Sequence, residues 1–555
     1  MKTIQKIIMS ALALPFVGAG LFTSCTEVES SLVEYVEDNE LDDPNDTVFS
    51  FVGIMGKMQN IADRTILLGE LRSDLVVPTD EATTDIYDLA MFKAGINNQY
   101  NKPSDYYAII QNCNYYLAHV DTVLSKRGYK VFEKEIAAVK AYRAWVYLQL
   151  AANYGEVPFV TEPILREKDA DPELYPKYDV KKVADYFIAD LAPCVDTPFP
   201  DNYGYDALAY IPVRVLLADL NLWAGNYEQA ARLYFEYLND RDKSDYHAIG
   251  TERSHWVDYR FEDVSGSPSR TSVATIRLNE DEFDGVVGHL SDVFESTINN
   301  SYYFQVKPSA ALGQLSRSQR YTLLYQDPLT FATDTITPPD TLVYDPASLQ
   351  GDLRLYSCYT LTGNNTSNDT YSKYVQTISK VSETTVVLYT VQQIYLRYAE
   401  ALNLAGYPQF AFGVLKYGLY YNNLNTRFTP EEVASASHLV NFNQYNFTNA
   451  NTFGIHARGC GDCHCDTLYA IPSLPTLDDS IKFVENTIID EMALETAFEG
   501  MRYQDLLRYA LRHNDTDWFA TKVASRGGTL DTDLYTLLSD RKNWFLPLPG
   551  NTSLK

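Results

Sequence analysis

From residue 48 onward, apolar residues recur three and four positions apart, the spacing that places them on one face of an α-helix. Alternation of apolar and polar residues, which predicts a strand, is rare and is clearest in residues 380–390. The pattern therefore predicts a mostly α-helical protein with few short strands. The predicted helices cover residues 48–68, 104–125, 131–154, 180–191, 207–224, 227–238, 391–404, 410–421 and 481–511.

Two of these helical stretches repeat each other. "ADLNLWAGNYEQA" and "AEALNLAGYPQFA" share the opening Ala, the following acid, an Ala-Gly pair and the final Ala when Gly225 and Gly406 are aligned. Small residues followed by a glycine turn are typical of tetratricopeptide repeats, in which two antiparallel helices approach closely. The repeats predict a tetratricopeptide-like helical scaffold. Because the two units are far apart in sequence, residues 239–390, which are poorer in helical spacing, are predicted to form a long loop-rich insertion.

The N-terminus predicts export. Lys2 and Lys6 precede an apolar run that ends in small residues, which is the pattern of a signal peptide. We interpret Cys25, in "LFTSC", as the acylated first residue of a bacterial lipoprotein, although Phe22 stands where such a motif usually has Leu. Ordinary cleavage into the periplasm is the alternative. The mature chain is then attached to the membrane through its lipid anchor only, since no later stretch has about 18 consecutive apolar residues.

Charge excludes one class of partner. The formal net charge of the 555-residue chain is -28, so a nucleic acid would meet repulsion instead of releasing counterions onto basic side chains. Residues 25–47 are acidic and lack helical spacing, which is typical of an extended tether.

Several segments together resemble the SusD/RagB family of outer-membrane nutrient-binding lipoproteins of Bacteroidetes. The resemblance spans nearly the whole mature chain, and its most specific part is the long acidic and basic motif of residues 488–510. The other segments that carry it are Cys25, "ELRSD" (70–74), "RAWVYLQLAANYGEVPFV" (143–160), "GDLRLYSCY" (351–359), "YLRYAEALNLAG" (395–406) and "FLPLPG" (545–550).

The resemblance implies a surface-exposed lipoprotein that caps a SusC-like TonB-dependent transporter and hands it a nutrient oligomer. Family members bind mostly glycans and some bind peptides, so both ligands remain open. The sequence patterns described above, taken with this resemblance, divide the chain into five expected parts. The expected parts are the signal peptide (1–24), the lipidated tether (25–47), an N-terminal helical-repeat part (48–238), the loop-rich ligand-binding insertion (239–390) and a C-terminal part (391–555).

Three glutamates at four-residue spacing lie on one face of the predicted helix 481–511. Paired carboxylates can act as acid and base in glycoside hydrolysis, which makes a surface glycosidase a third hypothesis. Residues of both charges follow at helical spacing, however, and ion pairs perturb carboxylates without implying a reaction. We therefore predict structural ion pairs, no catalytic residue and no cofactor. The residues concerned are Glu491, Glu495, Glu499, Arg502, Asp505 and Arg508.

Aromatic residues supply the candidate ligand contacts. They make up 13% of the chain, with 43 tyrosines, and sugar rings stack their C–H faces on aromatic faces while amides and carboxylates bond the hydroxyls. Two loop-like regions are the best places for them: residues 83–101, which follow "ELRSD", and the insertion. Local packing under a long loop is the competing explanation. The candidates are Tyr87, Phe92, Tyr100, Asn101, Trp256, Tyr259, Tyr302 and Tyr303.

The cysteines give no single answer. With Cys25 acylated, six remain, and six thiols can pair in 15 ways. Cys113, on a predicted helix, is expected to be a small buried apolar residue. "HARGCGDCHCD" could form disulfides, keep free thiols or bind zinc; the C-x-C spacing is unusual for zinc, so we predict no metal and interpret the segment as a structural loop before the acidic helix. The remaining cysteines are Cys194, Cys358, Cys460, Cys463 and Cys465.

Overall fold

The computed structural model describes most of the chain beyond residue 43. The described residues are 44–200, 207–239, 272–277, 290–294, 296–298, 301–319, 323–326, 333–336, 352, 354–355, 359–362, 373–376, 378, 380–381, 385–443, 454–459, 469–550, 552 and 554. The chain divides into Met1–Asn39, which lies outside these ranges, and one compact unit, Glu40–Lys555. The predicted signal peptide and Cys25 therefore stay predictions, whereas the end of the predicted tether is helical from Pro44.

Helices dominate the compact unit, which confirms the predicted fold class. They are α1 (Pro44–Met58), α2 (Ala62–Glu70), α3 (Thr84–Ala90), α4 (Pro103–His119), α5 (Glu133–Tyr154), α6 (Val180–Leu191), α7 (Val213–Ala224), α8 (Tyr227–Leu238), α9 (Ser291–Phe294), α10 (Ala310–Ser318), α11 (Val391–Leu404), α12 (Pro408–Lys416), α13 (Tyr421–Arg427), α14 (Pro430–Ser435), α15 (Ser437–Val440), α16 (Leu477–Glu495), α17 (Arg502–His513), α18 (Thr516–Ala524) and α19 (Thr532–Leu538).

Strands are short and occur in antiparallel pairs. They are β1 (Val76–Pro78), β2 (Ser125–Lys126), β3 (Tyr129–Lys130), β4 (Val157–Pro158), β5 (Lys177–Tyr178), β6 (Ser272–Arg277), β7 (Ser296–Ile298), β8 (Ser301–Tyr303), β9 (Val306–Pro308), β10 (Leu323–Gln326), β11 (Thr333–Ile336), β12 (Tyr359–Thr362), β13 (Lys373–Gln376) and β14 (Thr385–Thr390). Within the insertion, β6 pairs with β14, and the pair of β9 with β1 joins the insertion to the scaffold in the register Val77↔Lys307.

The two predicted repeat units lie side by side. Gly225 ends α7 and Gly406 follows α11, both with a positive φ (89° and 95°), a conformation that glycine adopts without steric cost. Helix α8 of the first unit packs on α11 of the second. Across the units, Arg397 Nη1 lies 2.6 Å from the Asp219 Oδ2 carboxylate oxygen, which also accepts a hydrogen bond from the Tyr389 hydroxyl. Tertiary packing thus reunites repeats that the insertion separates.

The predicted helix 481–511 is broken. Helix α16 ends at Glu495 and α17 begins at Arg502, and the connection contains Phe498 and Gly500 with φ values of 67° and 83°. Left-handed conformations end a helix, and here they let the chain turn so that both halves bury apolar faces. The periodicity continued across the break because each half is itself amphipathic.

One described segment, Ala207–Ala224, is long and apolar enough to be compared with a membrane span. Its residues are 72% buried inside the fold, and α7 packs between α6 and α8. The α-helix of this segment, α7, therefore belongs to the protein core, and it begins at Val213 and not at the predicted residue 207.

Candidate functional site

The first predicted binding region, residues 83–101, is half helical where a loop was expected. Thr83 caps α3 by accepting a hydrogen bond from the amide of Ile86, and the inner face of α3 is buried. The outer face presents Tyr87, which is 45% exposed, and the following loop presents Ile96, which is 55% exposed. Ile96 was not predicted, since a lone aliphatic residue in a polar loop carries no sequence signal. These two exposed apolar side chains, Tyr87 and Ile96, are here called the α3 face.

Phe92 anchors this segment. Its backbone has a φ of 56°, which is uncommon for a bulky residue and is maintained only where surrounding packing demands it. Its partly buried ring lies 6.4 Å from that of Tyr503 and 6.3 Å from that of Phe519, centroid to centroid. Phe92 therefore ties the end of α3 to α17 and α18.

Two predicted ligand contacts, Tyr100 and Asn101, are buried, as the competing explanation of local packing expects. Tyr100 is 1% exposed and Asn101 is 4% exposed. The Asn101 side-chain amide donates to the carbonyls of Gly95 (3.2 Å) and Pro547 (2.9 Å), so it fastens the loop to the C-terminal segment. Sequence alone did not separate them from Tyr87, because an isolated aromatic or amide next to a loop looks the same whether it faces inward or outward.

The structure brings the two predicted binding regions together. The backbone amide of Thr83 donates to Gln305 Oε1 (2.9 Å), and the Thr79 hydroxyl donates to the carbonyl of Phe304 (2.8 Å). Gln305 belongs to the insertion and also donates to the carbonyl of Asp292. The insertion therefore meets the scaffold at the start of α3.

The remaining predicted contacts lie on the insertion. Tyr302 and Tyr303 are on β8, which forms a hairpin with β7 and lies just before Gln305. Trp256 and Tyr259 lie outside the described residues and remain predictions.

Arg526, which the sequence analysis did not single out, connects the end of α3 to the "ELRSD" segment. Arg526 is 3% exposed and donates from Nη1 to the carbonyls of Leu71 and Ser73 and from Nη2 to that of Ala90 (2.5 Å) at the end of α3. Burial lowers the pKa of its guanidinium to about 10. Since three carbonyls accept from this cation, the "ELRSD" segment and α3 are fixed relative to each other.

All six charged residues predicted as ion pairs have charged partners, most of them distant in sequence. Glu491 lies 2.7 Å from Arg354 and 2.6 Å from His456 Nδ1, and Glu495 lies 3.9 Å from Arg354. Burial disfavours the ionised form of Glu491, but His456 and Arg354 outweigh it and lower the pKa to about 2. Glu499 pairs with Lys380 (2.5 Å).

The arginines of the motif also pair with residues outside it. Arg502 pairs with Asp74 (2.7 Å) instead of with Glu499. Arg508 bridges Asp505 (2.9 Å), its neighbour at helical spacing, and Glu400 (2.6 Å) of α11. These buried pairs link α17 to the "ELRSD" segment and to the second repeat unit, so the motif acts as a connector of the scaffold.

The cysteines divide between described and undescribed regions. Cys113 is fully buried with a free thiol, which confirms its predicted place in the core, and Cys194 is partly buried and free. Within the described ranges, His, Cys, Asp and Glu side chains form no group of three that could hold a metal ion. Cys25, Cys358 and the cysteines of "CGDCHC" lie outside those ranges.

The chain is similar to known proteins in its structure. No protein-family model matches the chain, and none of the curated proteins matches it. Solved structures do. A SusD superfamily protein from Bacteroides thetaiotaomicron (17% identity, TM-score 0.52) covers 90% of this chain and 97% of its own, and a SusD homolog from the same organism (15%, 0.57) covers 92% and 95%. A SusD-like carbohydrate-binding protein from Bacteroides vulgatus (15%, 0.51) covers 84% and 83%.

These likenesses define a class of fold. At such low identity they establish the fold alone, and they extend over most of the chain in each case. The chain has the SusD-like fold, as the sequence segments predicted.

Proposed function

We propose that this protein is a cell-surface lipoprotein that binds a nutrient glycan and delivers it to a SusC-like TonB-dependent transporter. The observation that carries the proposal is the hydrogen bond from the Thr83 amide to the Gln305 side chain. Through this bond the start of α3, which bears the exposed α3 face, meets the insertion. Tyr87 offers an aromatic surface for stacking, and Asn97 lies exposed beside Ile96. Binding groups on loops that a scaffold holds still are a common arrangement. The SusD-like carbohydrate-binding neighbour supports a glycan as ligand.

The test of ligand class is titration calorimetry with hexasaccharides of glucose, xylose and mannose in several linkages. We expect at least one to bind, and Tyr87→Ala to weaken its binding about tenfold or more, which corresponds to a loss of about 1.4 kcal/mol of binding free energy. Tyr129→Ala is the matched control, because Tyr129 is a 79% exposed tyrosine on β3 outside this face. Binding that is equally insensitive to both changes would remove the α3 face from the proposal.

Peptide binding is the alternative within the same class of uptake protein. It predicts peptides that co-purify with the protein and are detected by mass spectrometry, together with no response to the hexasaccharides. Glycoside hydrolysis is the weaker alternative, because the glutamates of the acidic motif are held in ion pairs. It predicts reducing ends released from a glycan by the pure protein.

Membrane attachment and transporter contact are separate parts of the proposal. Radiolabelled palmitate should be incorporated into the protein and lost in Cys25→Ala, and surface protease should digest the protein on intact cells. Affinity purification of the protein from detergent-solubilised outer membranes should recover a TonB-dependent transporter. Recovery of the intact protein in the soluble fraction without label would contradict the lipoprotein assignment.

A further inference from the structure

A second cavity is lined in part by the end of the "ELRSD" segment. A cleft of about 690 Å³ separates α10, from the insertion, and α18, from the C-terminal part. Asp74 and Leu75 also line it, whereas Tyr87 and Ile96 of the α3 face do not. Ligand pockets in proteins typically enclose about 300–1,000 Å³, so the α10–α18 cleft is large enough for a small oligomer.

The cleft contains a pre-positioned aromatic ring. Trp518 stacks on Tyr509 with ring centroids 4.0 Å apart and planes 25° from parallel. Tyr509 is itself 4% exposed, and its hydroxyl donates to the Asn486 side-chain carbonyl. One face of the indole is therefore covered by Tyr509, and Trp518 is among the residues that line the cleft. An indole fixed in this way loses little conformational freedom when a ligand binds.

Three polar side chains line the same cleft. Gln314 of α10, Thr521 of α18 and Ser525 line the cleft, and their side chains make no hydrogen bond to another described residue. Gly528, with a φ of 93°, lies close to α10: a Cβ there would come within 3.2 Å of the Ala310 Cβ. The glycine lets the chain pass close to α10 at the edge of the cleft, and the amide and hydroxyls that line the cleft are available to a ligand.

The charges of the cleft select against anions. Asp74 is neutralised by Arg502, and Lys522 pairs with Asp490 at 3.2 Å. Asp515 and Asp517 remain, the first capping α18 and the second accepting a hydrogen bond from the Tyr535 hydroxyl. The cleft is thus negative, in a chain of net charge -28. A uronic acid or a sulfated sugar would be repelled.

We propose that the α10–α18 cleft is a second carbohydrate subsite, which takes a neutral pyranose oligosaccharide with Trp518 as its stacking platform. The inference rests on the proposed glycan-binding function and adds a place and a ligand class. The C–H face of a sugar ring contacts the indole. Its hydroxyls bond to Gln314, Thr521 and the Asp515 carboxylate. Asp517 disfavours a ligand that carries its own negative charge.

The experiment is titration of the full mature chain with the neutral hexasaccharides and with a hexamer of galacturonic acid. We expect Trp518→Ala to lower the affinity for the neutral hexasaccharide that binds the wild type by about tenfold or more. Tyr129→Ala should leave that affinity within twofold of the wild-type value. The galacturonate hexamer should not bind the wild type. Hydrogen exchange should show slower exchange of the backbone amides of residues 515–528 when the neutral hexasaccharide is added.

Because Trp518 also packs on Tyr509, Gln314→Ala serves as a second variant: Gln314 is exposed, and its side chain makes no hydrogen bond to the residues that the structure describes. It should weaken binding while the melting temperature stays at the wild-type value. Glycan binding that is lost in Tyr87→Ala but unchanged in both Trp518→Ala and Gln314→Ala, with no protection of residues 515–528, overturns the subsite and leaves the proposed function standing. No binding of any hexasaccharide to the wild type overturns both. Preference for the galacturonate hexamer overturns the ligand class.

Discussion

Gly69 of α2 lies directly against the backbone of Gly500, so closely that a Cβ on Gly69 would come within 1.7 Å of the Gly500 carbonyl oxygen. The next residue, Glu70, accepts a hydrogen bond from the Gly500 amide at 2.8 Å. This contact joins the "ELRSD" segment to the break between α16 and α17. Two segments that identified the fold in the sequence are thus in contact in the structure.

Gly69→Ala should lower the free energy of unfolding by about 1–3 kcal/mol or more, the usual cost of overpacking, because backbone atoms must move to admit the methyl group. Gly53→Ala is the matched control: Gly53 lies in α1 with no atom within 4 Å of an added Cβ. That change should stabilise by about 0.5–1 kcal/mol, since alanine favours a helix. Urea denaturation measures both, and equal effects would contradict the close approach.

Glu70→Gln should change how stability depends on pH. Burial raises the pKa of Glu70 to about 8 from 4.5, although amide hydrogen bonds from Gly500 and Phe498 oppose the shift. Between these values the folded protein keeps a proton that the unfolded chain has released. The unfolding free energy therefore falls as pH rises from about 4.5 to 8, by at most about 1.4 kcal/mol per pH unit.

The glutamine variant cannot ionise, so it should gain stability relative to the wild type as the pH is raised. Denaturation at pH 5, 6.5 and 8 provides the comparison. A difference between the two proteins that stays constant over this range would show that Glu70 is already ionised in the folded state.

Arg502→Met should destabilise strongly. Arg502 makes two hydrogen bonds to the Asp74 carboxylate, at 2.7 and 2.8 Å, and both side chains are buried. Removing the arginine leaves a buried carboxylate unpaired, which costs about 3–5 kcal/mol. Lys181→Met, which removes an exposed pair with Asp185 within α6, should cost little or nothing. Comparable losses in the two variants would refute the structural importance of the buried pair.

Asn101→Ala should separate stability from binding. The substitution removes the hydrogen bond from the Asn101 side-chain amide to the Pro547 carbonyl, so the melting temperature should fall. The affinity of the folded protein for a hexasaccharide should change less than in Tyr87→Ala, since Asn101 is buried and Tyr87 is exposed. An affinity loss in Asn101→Ala that exceeds the loss in Tyr87→Ala would return Asn101 to the ligand contacts.

Local sequence determined the helices wherever one amphipathic pattern was bounded by its own caps and turns. The predicted limits of α6, α8 and α11 equal the observed ones, and the turns at Gly225 and Gly406 were predicted from the repeated Ala-Gly. These features depend on residues within a few positions of each other. The opposite case is the break at Phe498 and Gly500, where amphipathic spacing continues through a change of direction.

Only the tertiary structure decided which residues meet. Arg502 had Glu499 at helical spacing, yet it pairs with Asp74, more than 400 positions earlier, because packing of α17 on the "ELRSD" segment buries both charges together. Burial likewise distinguished Tyr100 from Tyr87, and the approach of α10 to α18 created the cleft at Trp518. The sequence by itself determined local conformation, charge and the resemblance that pointed to the fold. Partners, exposure and cavities depend on long-range packing, which periodicity does not encode.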